Sequence, residues 1–556
     1  MTSAFKAALL AHHAGDHATA ERLYRRAIEE GTEARAARYN LALLYAEQRA
    51  FAQAKPLLLS LIAEPKADAE IHLLLGRIFM AEGDSAAARA PLEQALALDP
   101  AKVPARLELA RLLGAARDYA RAVELLRAVP ETAPAEQRMP ALRLLADLEI
   151  AWAEADPAEE TRHLDEAEAA LRACLALAPS HPGLLNNLTL LLTRRGRLEE
   201  AERHGRALLA LAPVVPEASL ALAGALAGRD PAREAEAVDL LSRALARAPD
   251  HPSLNWNLAH SLMRLERFGE AWPRYARRFE RKQTLVPPPG PRWDGRPTER
   301  PLLVWGEQGF GNVIQFARFL PQAAARAPRL LLACQTPLLR LLGAMPAVTQ
   351  AIDFAAPLPP YGVQYPLLDL GLALGIEAAA LPGPIPYLAP PSADGRWARL
   401  EAAPEPRIGI VWSGNRLPDR HRSAPLEPFL RLAERHDLEL WSLQIGPAAA
   451  DLARDGGARV TDLSPLIEDF ADTAAAISRL DLVITIDTAV AHLAGALGKE
   501  AWVLLPHRAG WMWHFDPART IWYPSLRLFR QASFGDWPGL FQRVETALAA
   551  WLAVRR

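Results

Sequence analysis

Residues 69–102 read AEIHLLLGRIFMAEGDSAAARAPLEQALALDPAK, and their pattern decides the fold of the first part of the chain. Apolar residues recur at helical spacing on both sides of Gly83 and Asp84, which are typical of a turn. Small residues such as Ala88 let two helices approach closely, and Pro100 closes the unit because proline cannot continue a helix. The stretch therefore predicts a helix–turn–helix unit.

The same pattern returns along the chain at a fixed step. A step of about 34 residues, the tetratricopeptide spacing, leads back from Ala88 to Ala54 and Ala20, and the pattern recurs at Gly196, Ala201, Pro213 and Ala271. The spacing predicts an α-solenoid of about eight tetratricopeptide repeats over residues 1–282, with one longer unit at 138–181. Such an array either holds a protein partner on its concave surface or is purely structural.

Composition excludes several classes of protein. The chain has 556 residues and a formal net charge of −2, which argues against a general nucleic-acid binder. Its two cysteines, Cys174 and Cys334, rule out a disulfide framework and a cysteine-rich metal site. No apolar run is long enough for a membrane span, and residues 1–16 are too polar for a signal peptide. We expect a cytoplasmic protein.

A proline-rich stretch at residues 283–300 predicts a stiff linker and the domain boundary. After it, short apolar runs alternate with helical stretches, which is typical of parallel sheets covered on both faces. A second proline-rich stretch divides this region into two doubly wound subdomains, 301–390 and 391–556, the latter with a final helix. The predicted buried strands are Leu302–Trp305, Leu330–Ala333, Ile408–Trp412, Leu438–Leu443, Leu482–Ile486 and Trp502–Leu505.

The segment from Asp481 to Gly498 carries the clearest chemical signal. A buried strand ends at Asp487 and Thr488, where a helix begins, and His492 follows one turn later. The free N–H groups of a helix start favour phosphate. The alternative is that Asp487 only caps the helix and that His492 is a core histidine.

Seven segments of residues 300–545 occur in the order found in heptosyltransferase-like glycosyltransferases. The chain resembles these enzymes of GT-B fold, which have two facing Rossmann-like halves, and more closely resembles bacterial proteins that fuse tetratricopeptide repeats to such a domain. Some members of this broad group are implicated in attaching sugars to protein hydroxyls, including those of flagellin. The segments are residues 305–318, 411–415, 422–426, 442–446, 469–473, 487–492 and 522–530.

The resemblance implies a donor site in the second half. It places Asp487, Thr488 and His492 against the sugar and phosphate of a nucleotide-sugar. Further donor-binding candidates are Ser413, Gly414, Asn415, Arg422, Ser423 and, more weakly, Gln444. A guanidinium such as that of Arg422 can grip phosphate with two hydrogen bonds, although a solvated surface arginine is the alternative. Asp472 and Thr473 are donor-site candidates or helix caps, and the aromatic residues Trp511, Trp513, Trp522 and Tyr523 could stack on a ligand or pack the fold.

The acceptor side should lie at a turn with Gly306, Gly309 and Gly311, whose glycines allow backbone conformations closed to other residues. The family usually has an aspartate in this turn as the base, whereas this chain has Asn312, whose amide cannot take up a proton. We therefore expect the catalytic pair Glu307 and Asn312, with Glu307 as base and Asn312 orienting the acceptor. Asp419 and His421 are the next candidates for the base.

These observations lead to three functional hypotheses. The first is a metal-independent glycosyltransferase, without cofactor, that moves a sugar from a nucleotide-sugar to a Ser/Thr hydroxyl of a protein held by the repeats. Flagellin is the expected acceptor, and a CMP-linked nonulosonic acid would then be a plausible donor by analogy. The second is a transferase that builds lipopolysaccharide or another surface glycan. The third is a scaffold whose transferase half is impaired at Asn312.

Overall fold

The computed structural model describes residues 3–65, 68–281, 286–392, 395–415, 420–454 and 459–555. The chain divides into two units, Met1–Arg195 and Gly196–Arg556, which we call the N-terminal and C-terminal units. Among the described residues, no helix has both the length and the apolar character that crossing a membrane requires.

The N-terminal unit consists of eleven helices within its described residues. Fully buried Ala20, Ala54 and Ala88 occupy equivalent positions in successive repeats, as the 34-residue step predicts. A Cβ atom added at Gly76 would lie 2.6 Å from the side chain of Leu92, so glycine is needed where these two helices approach. The helices are α1 (Ala4–His13), α2 (His17–Glu29), α3 (Ala34–Glu47), α4 (Phe51–Ile62), α5 (Ala69–Glu82), α6 (Ser85–Leu98), α7 (Val103–Ala115), α8 (Tyr119–Arg127), α9 (Ala135–Ala155), α10 (Glu160–Leu177) and α11 (Pro182–Arg194).

The unusually long repeat keeps its extra residues in helices. Helices α9 and α10 have 21 and 18 residues, so the additional length extends both helices and the connection between them stays short. Glu149 and His163 join the two helices through a buried contact of 2.6 Å between Oε2 and Nδ1.

The C-terminal unit begins with five further helices: α12 (Leu198–Leu211), α13 (Pro216–Leu226), α14 (Pro231–Arg247), α15 (Pro252–Arg264) and α16 (Phe268–Tyr275). Sixteen helices in the described residues are what eight two-helix repeats require. However, the compact units are not divided at the predicted boundary near residue 282, because residues on both sides of it belong to one unit. Trp272 on α16 is 2% exposed, and its Nε1 donates a hydrogen bond to the carbonyl of Ile376 at 2.8 Å. The last helices therefore fold with the α/β region.

The α/β region contains two parallel sheets, with strand orders β3-β2-β1-β4 and β10-β9-β8-β5-β6-β7. The strands are β1 (Leu302–Trp305), β2 (Leu330–Cys334), β3 (Gln350–Asp353), β4 (Val363–Pro366), β5 (Ile408–Val411), β6 (Leu440–Ser442), β7 (Val460–Asp462), β8 (Leu482–Ile486), β9 (Ala501–Leu505) and β10 (Leu526–Arg530). We call the parts that contain the four-stranded and six-stranded sheets the first and second halves.

Helices connect the strands of both sheets. They are α17 (Phe310–Phe316), α18 (Leu320–Ala324), α19 (Leu339–Gly343), α20 (Leu370–Leu374), α21 (Ala398–Ala402), α22 (Glu427–His436), α23 (Asp451–Arg454), α24 (Phe470–Arg479), α25 (Ala489–Ala496) and α26 (Trp537–Ala553). The prediction of α/β architecture is confirmed, because strands alternate with helices in two parallel sheets.

The proline-rich segment is more than a connector. Residues 283–285 of the predicted linker lie outside the described residues. Further along, the backbone N–H of Trp293 donates to the carbonyl of Gln364 at 2.9 Å, and the N–H of Gln364 donates to the carbonyl of Pro291 at 3.0 Å. Residues 291–293 thus run alongside β4, with Trp293 buried, and extend the edge of the first sheet.

Candidate functional site

The segments that follow β1 and β8 pack against each other, and we call the region where the two halves meet at these segments the cleft. Strand β1 leads into the glycine turn and α17, and β8 leads through Asp487 and Thr488 into α25. Helices α17 and α25 pack so closely that a Cβ atom added at Gly311 would lie 2.7 Å from Cδ2 of His492. The glycine turn and the donor-site segment predicted from the sequence therefore border one cleft, which is where parallel sheets bind ligands.

A loop after β5 contributes the second group of predicted donor residues. The N–H of Gly414 donates to Oγ of Ser423 at 3.2 Å, while Nε and Nη2 of Arg422 donate to the carbonyl of Asn415 at 3.1 and 2.8 Å. A Cβ atom at Gly414 would meet Nε of Arg422 at 3.2 Å and Cγ2 of Thr488 at 3.3 Å. These predicted residues therefore come together, and a small residue at position 414 is required.

Gln444 has a supporting role that differs from the predicted one. Its side chain is 5% exposed, and Oε1 accepts hydrogen bonds from the backbone N–H groups of Trp412 at 3.2 Å and Ser413 at 2.8 Å. Its Nε2 donates to the carbonyl of Ile445 at 3.0 Å. With both ends of the amide engaged by backbone, Gln444 holds the loop that carries Ser413.

Among the described residues, the start of α25 has no side-chain cap from its N-cap residue. Thr488 occupies the N-cap position, and its Oγ1 lies 3.2 Å from Oγ1 of Thr485. Within the described chain, the Thr488 side chain makes no capping hydrogen bond. An anion in the cleft could therefore take the role of a cap. Burial lowers the pKa of Arg530 to about 10, whereas neighbouring Asp487 acts to raise it, so a second guanidinium lies beside this end of the strand.

His492 is locked in the wall of the cleft. It is 3% exposed, its Nδ1 lies 3.1 Å from the hydroxyl of Tyr523, and its ring stacks on Trp513 with centroids 5.3 Å apart. Burial lowers the pKa of His492 to about 3, and the nearby guanidinium groups of Arg318 and Arg422 act in the same direction. The imidazole is therefore neutral near pH 7, and its edge faces Gly311.

The glycines of the turn serve packing more than backbone torsion. The residue with left-handed backbone is Gln308, at φ 62°, whereas Gly309 has φ −78°. The predicted reason for the glycines is therefore wrong. A Cβ atom at Gly306 would meet Val313 at 3.2 Å, and one at Gly311 would meet His492. Glycine is needed at these two positions because neighbouring side chains occupy the space.

A hydrogen-bonded chain links the last repeat to Asn312. Nε2 of Gln308 donates to the hydroxyl of Tyr275 at 3.0 Å, and Nδ2 of Asn312 donates to Oε1 of Gln308 at 2.8 Å. Tyr275 is the last residue of α16, so the repeats reach the turn on which the acceptor is expected. Sequence reasoning missed Tyr275 and Gln308 because nothing in either segment indicates that they meet.

The prediction that Glu307 is the base is contradicted by its position. Glu307 is 4% exposed and forms an ion pair with Arg278, in which Nε and Oε2 are 3.1 Å apart and Nη2 binds the other oxygen. Arg278 also binds buried Asp369. Burial raises the pKa of Glu307, and the Arg278 guanidinium acts to lower it. A carboxylate whose two oxygens are held by a buried guanidinium is a structural group.

The remaining sequence candidates that the structure describes have other partners. Asp419 lies outside the described residues, and the ring of His421 packs edge-on against Phe534 with centroids 4.6 Å apart. Asp472 is buried and pairs with Arg340 of the first half. Oγ1 of Thr473 donates to the carbonyl of Asp469, whose side chain caps α24. Asp472 and Thr473 therefore organise the start of α24 and its contact with α19.

Aromatic residues near the cleft pack the fold. Trp511, Trp513, Trp522 and Tyr523 are all buried, so the packing alternative holds for them. Two of them contact Arg318, whose guanidinium lies 4.7 Å from the ring centroid of Tyr523 and donates to the carbonyl of Trp522 at 2.9 Å. Arg318 is a buried cation of the first half that binds the second. Its place inside an apolar stretch was the signal that sequence reasoning left unused.

Comparisons with known proteins identify the repeats. Tetratricopeptide repeat models match residues 11–78, 79–148 and 153–216. The N-terminal region is thus a tetratricopeptide α-solenoid. Protein FlbA of Caulobacter vibrioides is 27% identical over 359 residues, which cover 58% of this chain. The match spans 59% of the length of that relative.

Solved structures similar to this chain are also repeat proteins. The C-terminal part of a TPR repeat-containing protein from Cytophaga hutchinsonii is 12% identical, with a TM-score of 0.38, and the match covers 46% of this chain and 99% of that one. A thermophilic TPR protein of Thermus thermophilus is 24% identical, with a TM-score of 0.27, and the match covers 35% of this chain and 99% of that one. For MamA the identity is 21%, the TM-score 0.28 and the coverage 33% and 92%.

Proposed function

We propose that this chain is a glycosyltransferase of GT-B type that transfers a sugar from a nucleotide-sugar to a Ser/Thr hydroxyl of a protein acceptor. One observation supports the proposal: Gly414 lies against Arg422 and Thr488, and Gly311 of the glycine turn lies against His492 and Ala489 of α25. Arg422 and the start of α25 would supply positive charge and N–H donors for a phosphate, and the glycine turn lies against α25. Two halves that present sheet ends to each other are what a two-substrate transfer needs.

The described residues suggest how the leaving group is stabilised. A donor phosphate at the start of α25 would be bound by backbone N–H groups and the helix dipole, with Arg422 beside it. Such donors stabilise a leaving phosphate without a metal. Neutral His492 would shape the wall and keep α17 at its distance. The Asn312 amide would orient the acceptor hydroxyl, since it can accept or donate a hydrogen bond. The hydroxyl oxygen would form the new bond to the sugar as the bond to phosphate breaks, and the hydroxyl proton would pass to the departing phosphate, because the Asn312 amide cannot take it.

A groove in the N-terminal unit suits a protein acceptor. It has a volume of about 540 Å³ and is formed by α7, α9 and α11, the first helices of three successive repeats. Its walls carry both charge signs and apolar atoms: Arg111, Glu136, Met139, Arg143, Asp147 and His181. A groove of this kind fits an extended polypeptide with mixed side chains and favours a protein such as flagellin over a glycan acceptor. A lipopolysaccharide-building transferase would have no use for it.

Nucleotide binding tests the donor site directly. We expect the full chain to bind one of CMP, UDP or GDP in isothermal titration calorimetry, and Arg422→Ala to weaken that binding by about 10- to 100-fold, which corresponds to a charged hydrogen bond of about 1.5–3 kcal/mol. Arg431→Ala is the matched control, because Arg431 is an exposed arginine of α22 that forms an ion pair with exposed Glu427. If wild type and Arg422→Ala bound nucleotide equally well, Arg422 would not belong to the donor site. Transfer itself is measured separately, as an increase in the intact mass of the acceptor protein.

The replacement of the family aspartate by Asn312 favours a second candidate, a scaffold that binds a nucleotide-sugar but does not transfer it. In that case the wild type would bind nucleotide and leave every acceptor unmodified. Asn312→Asp would restore a carboxylate at the turn and produce transfer. An active wild type excludes this candidate.

A further inference from the structure

Three helix ends of the N-terminal unit bring two histidines and a carboxylate together. His12 lies in the last turn of α1, His17 is the first residue of α2, and Glu47 is the last residue of α3. One ligand atom from each lies within 4.8 Å of the other two, and Nε2 of His12 is 2.9 Å from Oε2 of Glu47. His12 is partly buried, whereas His17 and Glu47 are exposed to solvent.

This group has the donor atoms and the support that a zinc-class ion requires. Imidazole nitrogen and carboxylate oxygen bind Zn²⁺ at about 2.0–2.2 Å, so two ligands of one ion lie about 3–4 Å apart. The exposed side chains of His17 and Glu47 can reach such distances by rotation about their side-chain bonds. Nδ1 of His12 lies 3.2 Å from the hydroxyl of Tyr24, which is fully buried. A metal-binding imidazole usually bonds an oxygen with its other ring nitrogen, which fixes its orientation.

The repeat register shows that the tetratricopeptide pattern does not call for these residues. At a step of 34 residues the equivalent positions in the following repeats carry residues that do not bind such metals. The equivalents of His12 are Ala46, Met80 and Gly114; those of His17 are Phe51, Ser85 and Tyr119; those of Glu47 in the next two repeats are Ala81 and Ala115. The three ligand types coincide at the first repeat junction, where the array begins.

We propose that His12, His17 and Glu47 form a binding site for a divalent transition-metal ion of the zinc class, with water completing the coordination. Three protein ligands leave room for a solvent molecule or for a group from a partner. The site would fasten α1 and α2 to α3 and so stabilise a terminal repeat, which has a neighbour on one side only. Sequence reasoning expected no metal cluster because the ligands lie on three separate helices.

Zinc titration of the full, untagged chain tests the site. After treatment with EDTA, the protein is titrated with Zn²⁺ in competition with a chromophoric chelator, and we expect one equivalent to bind. His17→Gln and Glu47→Gln should each weaken binding by at least about 100-fold, and Tyr24→Phe, which removes only the supporting oxygen, by about 10-fold. His13→Gln is the matched control, since His13 is an exposed histidine of the same helix whose nitrogens are not part of the group, and its affinity should equal that of the wild type.

Two results would overturn the proposal. One is the absence of stoichiometric binding to the wild type at micromolar zinc. The other is an equal loss of affinity in His13→Gln and His17→Gln, because that pattern indicates unspecific binding by surface histidines. Far-UV circular dichroism of each variant confirms that the helices remain, and Zn²⁺ should raise the unfolding temperature of the wild type but not of Glu47→Gln.

Discussion

The buried arginine Arg278 serves two carboxylates at once. It binds Glu307 and Asp369, and Arg292 binds Asp369 from another side at 2.5 Å. Removing one partner of a buried ion pair is strongly destabilising, because the other charge stays buried without compensation. The two acidic residues therefore contribute to the fold by neutralising Arg278, which joins the last repeat to the first half.

Glu307→Gln should consequently act on stability. We expect the free energy of unfolding to fall by about 3–5 kcal/mol, the range for breaking a buried ion pair, and the transfer rate per folded molecule to stay within about tenfold of wild type. Urea denaturation and a transfer assay measure the two quantities. Glu427→Gln is the control, because its partner Arg431 is exposed, and it should cost less than about 1 kcal/mol. Unchanged stability with a rate loss of about 100-fold or more would restore Glu307 as base.

His514 should make stability depend on pH. Its Nε2 accepts a hydrogen bond from Nε1 of Trp522 at 3.1 Å, and burial lowers the pKa of His514 to about 4. An unfolded histidine has a pKa near 6.5, so between about pH 6.5 and pH 4 unfolding takes up a proton. The stability contribution is complete above pH 6.5 and decreases as the pH falls, by up to about 1.4 kcal/mol per pH unit.

The comparison with His514→Gln isolates this contribution from that of other acidic and basic groups. Chemical denaturation at several pH values between 6.5 and 4 gives the slope of the unfolding free energy. We expect the slope of the variant to be smaller by about one bound proton. Identical slopes would mean that His514 titrates normally in the folded protein.

At the scale of elements, the sequence predicts those strands that are continuous runs of apolar residues. Strands β1, β2, β8 and β9 are buried throughout and were predicted, whereas β3 and β7 are half-exposed strands at sheet edges whose residues resemble loops. Which residues lie at the strand ends was also predictable, since Asp487 and Ser413 follow buried strands. The partners of those residues were not, because Gln444 and Glu307 acquire theirs only through tertiary packing.

The contact of α17 with α25 can be tested by adding one methyl group. Gly311→Ala would place a Cβ atom 2.7 Å from Cδ2 of His492, whose ring is held by Tyr523 and Trp513 and cannot yield easily. We expect a loss of about 1–3 kcal/mol in unfolding free energy, as for other overpacked sites, together with reduced transfer.

Gly309→Ala controls for the loss of glycine in the same turn. Among the described atoms, none lies within 4 Å of its added Cβ, and φ −78° suits alanine. Its stability should fall by no more than about 1 kcal/mol, the typical cost of alanine at the N-cap position that Gly309 occupies. Thermal denaturation of Gly311→Ala and Gly309→Ala measures the stability of both variants. Equal losses of stability would show that the flexibility of the turn is important and that the contact with His492 is not.

At the scale of the whole molecule, the domain boundary indicated by composition differs from the one indicated by packing. The proline-rich segment separates repeats from the α/β region in sequence, but α16 lies on α20 so closely that a Cβ atom at Gly371 would be 2.7 Å from the ring of Trp272. Phe268 packs edge-on against Trp522 of the second half at 5.7 Å. These contacts join residues that are 99 and 254 positions apart. The repeat pattern gives no sign of them, because both aromatic residues also fit a repeat core.

Two fragments should therefore behave differently. Residues 196–556 keep helices α12–α16 with the α/β region and should fold, elute as a single species in size-exclusion chromatography and bind nucleotide as tightly as the full chain. Residues 295–556 lack α16 and would expose the apolar surface that Phe268, Trp272 and Tyr275 cover, since all three are buried in the full chain. Exposure of an aromatic-binding surface of this kind favours aggregation, so we expect the shorter fragment to be insoluble or to unfold at lower temperature.

The longer fragment also separates acceptor selection from donor chemistry. It lacks the groove formed by α7, α9 and α11, so it should bind nucleotide normally but modify the protein acceptor more slowly than the full chain at equal concentration. The substitution Arg111→Ala in the full chain, which alters the groove, should also lower the rate of acceptor modification and leave the nucleotide affinity unchanged. If residues 196–556 modified the protein acceptor as fast as the full chain, the repeats of the N-terminal unit would have no part in selecting it. If instead residues 295–556 were stable and bound nucleotide, the boundary predicted from the proline-rich segment would be the correct one.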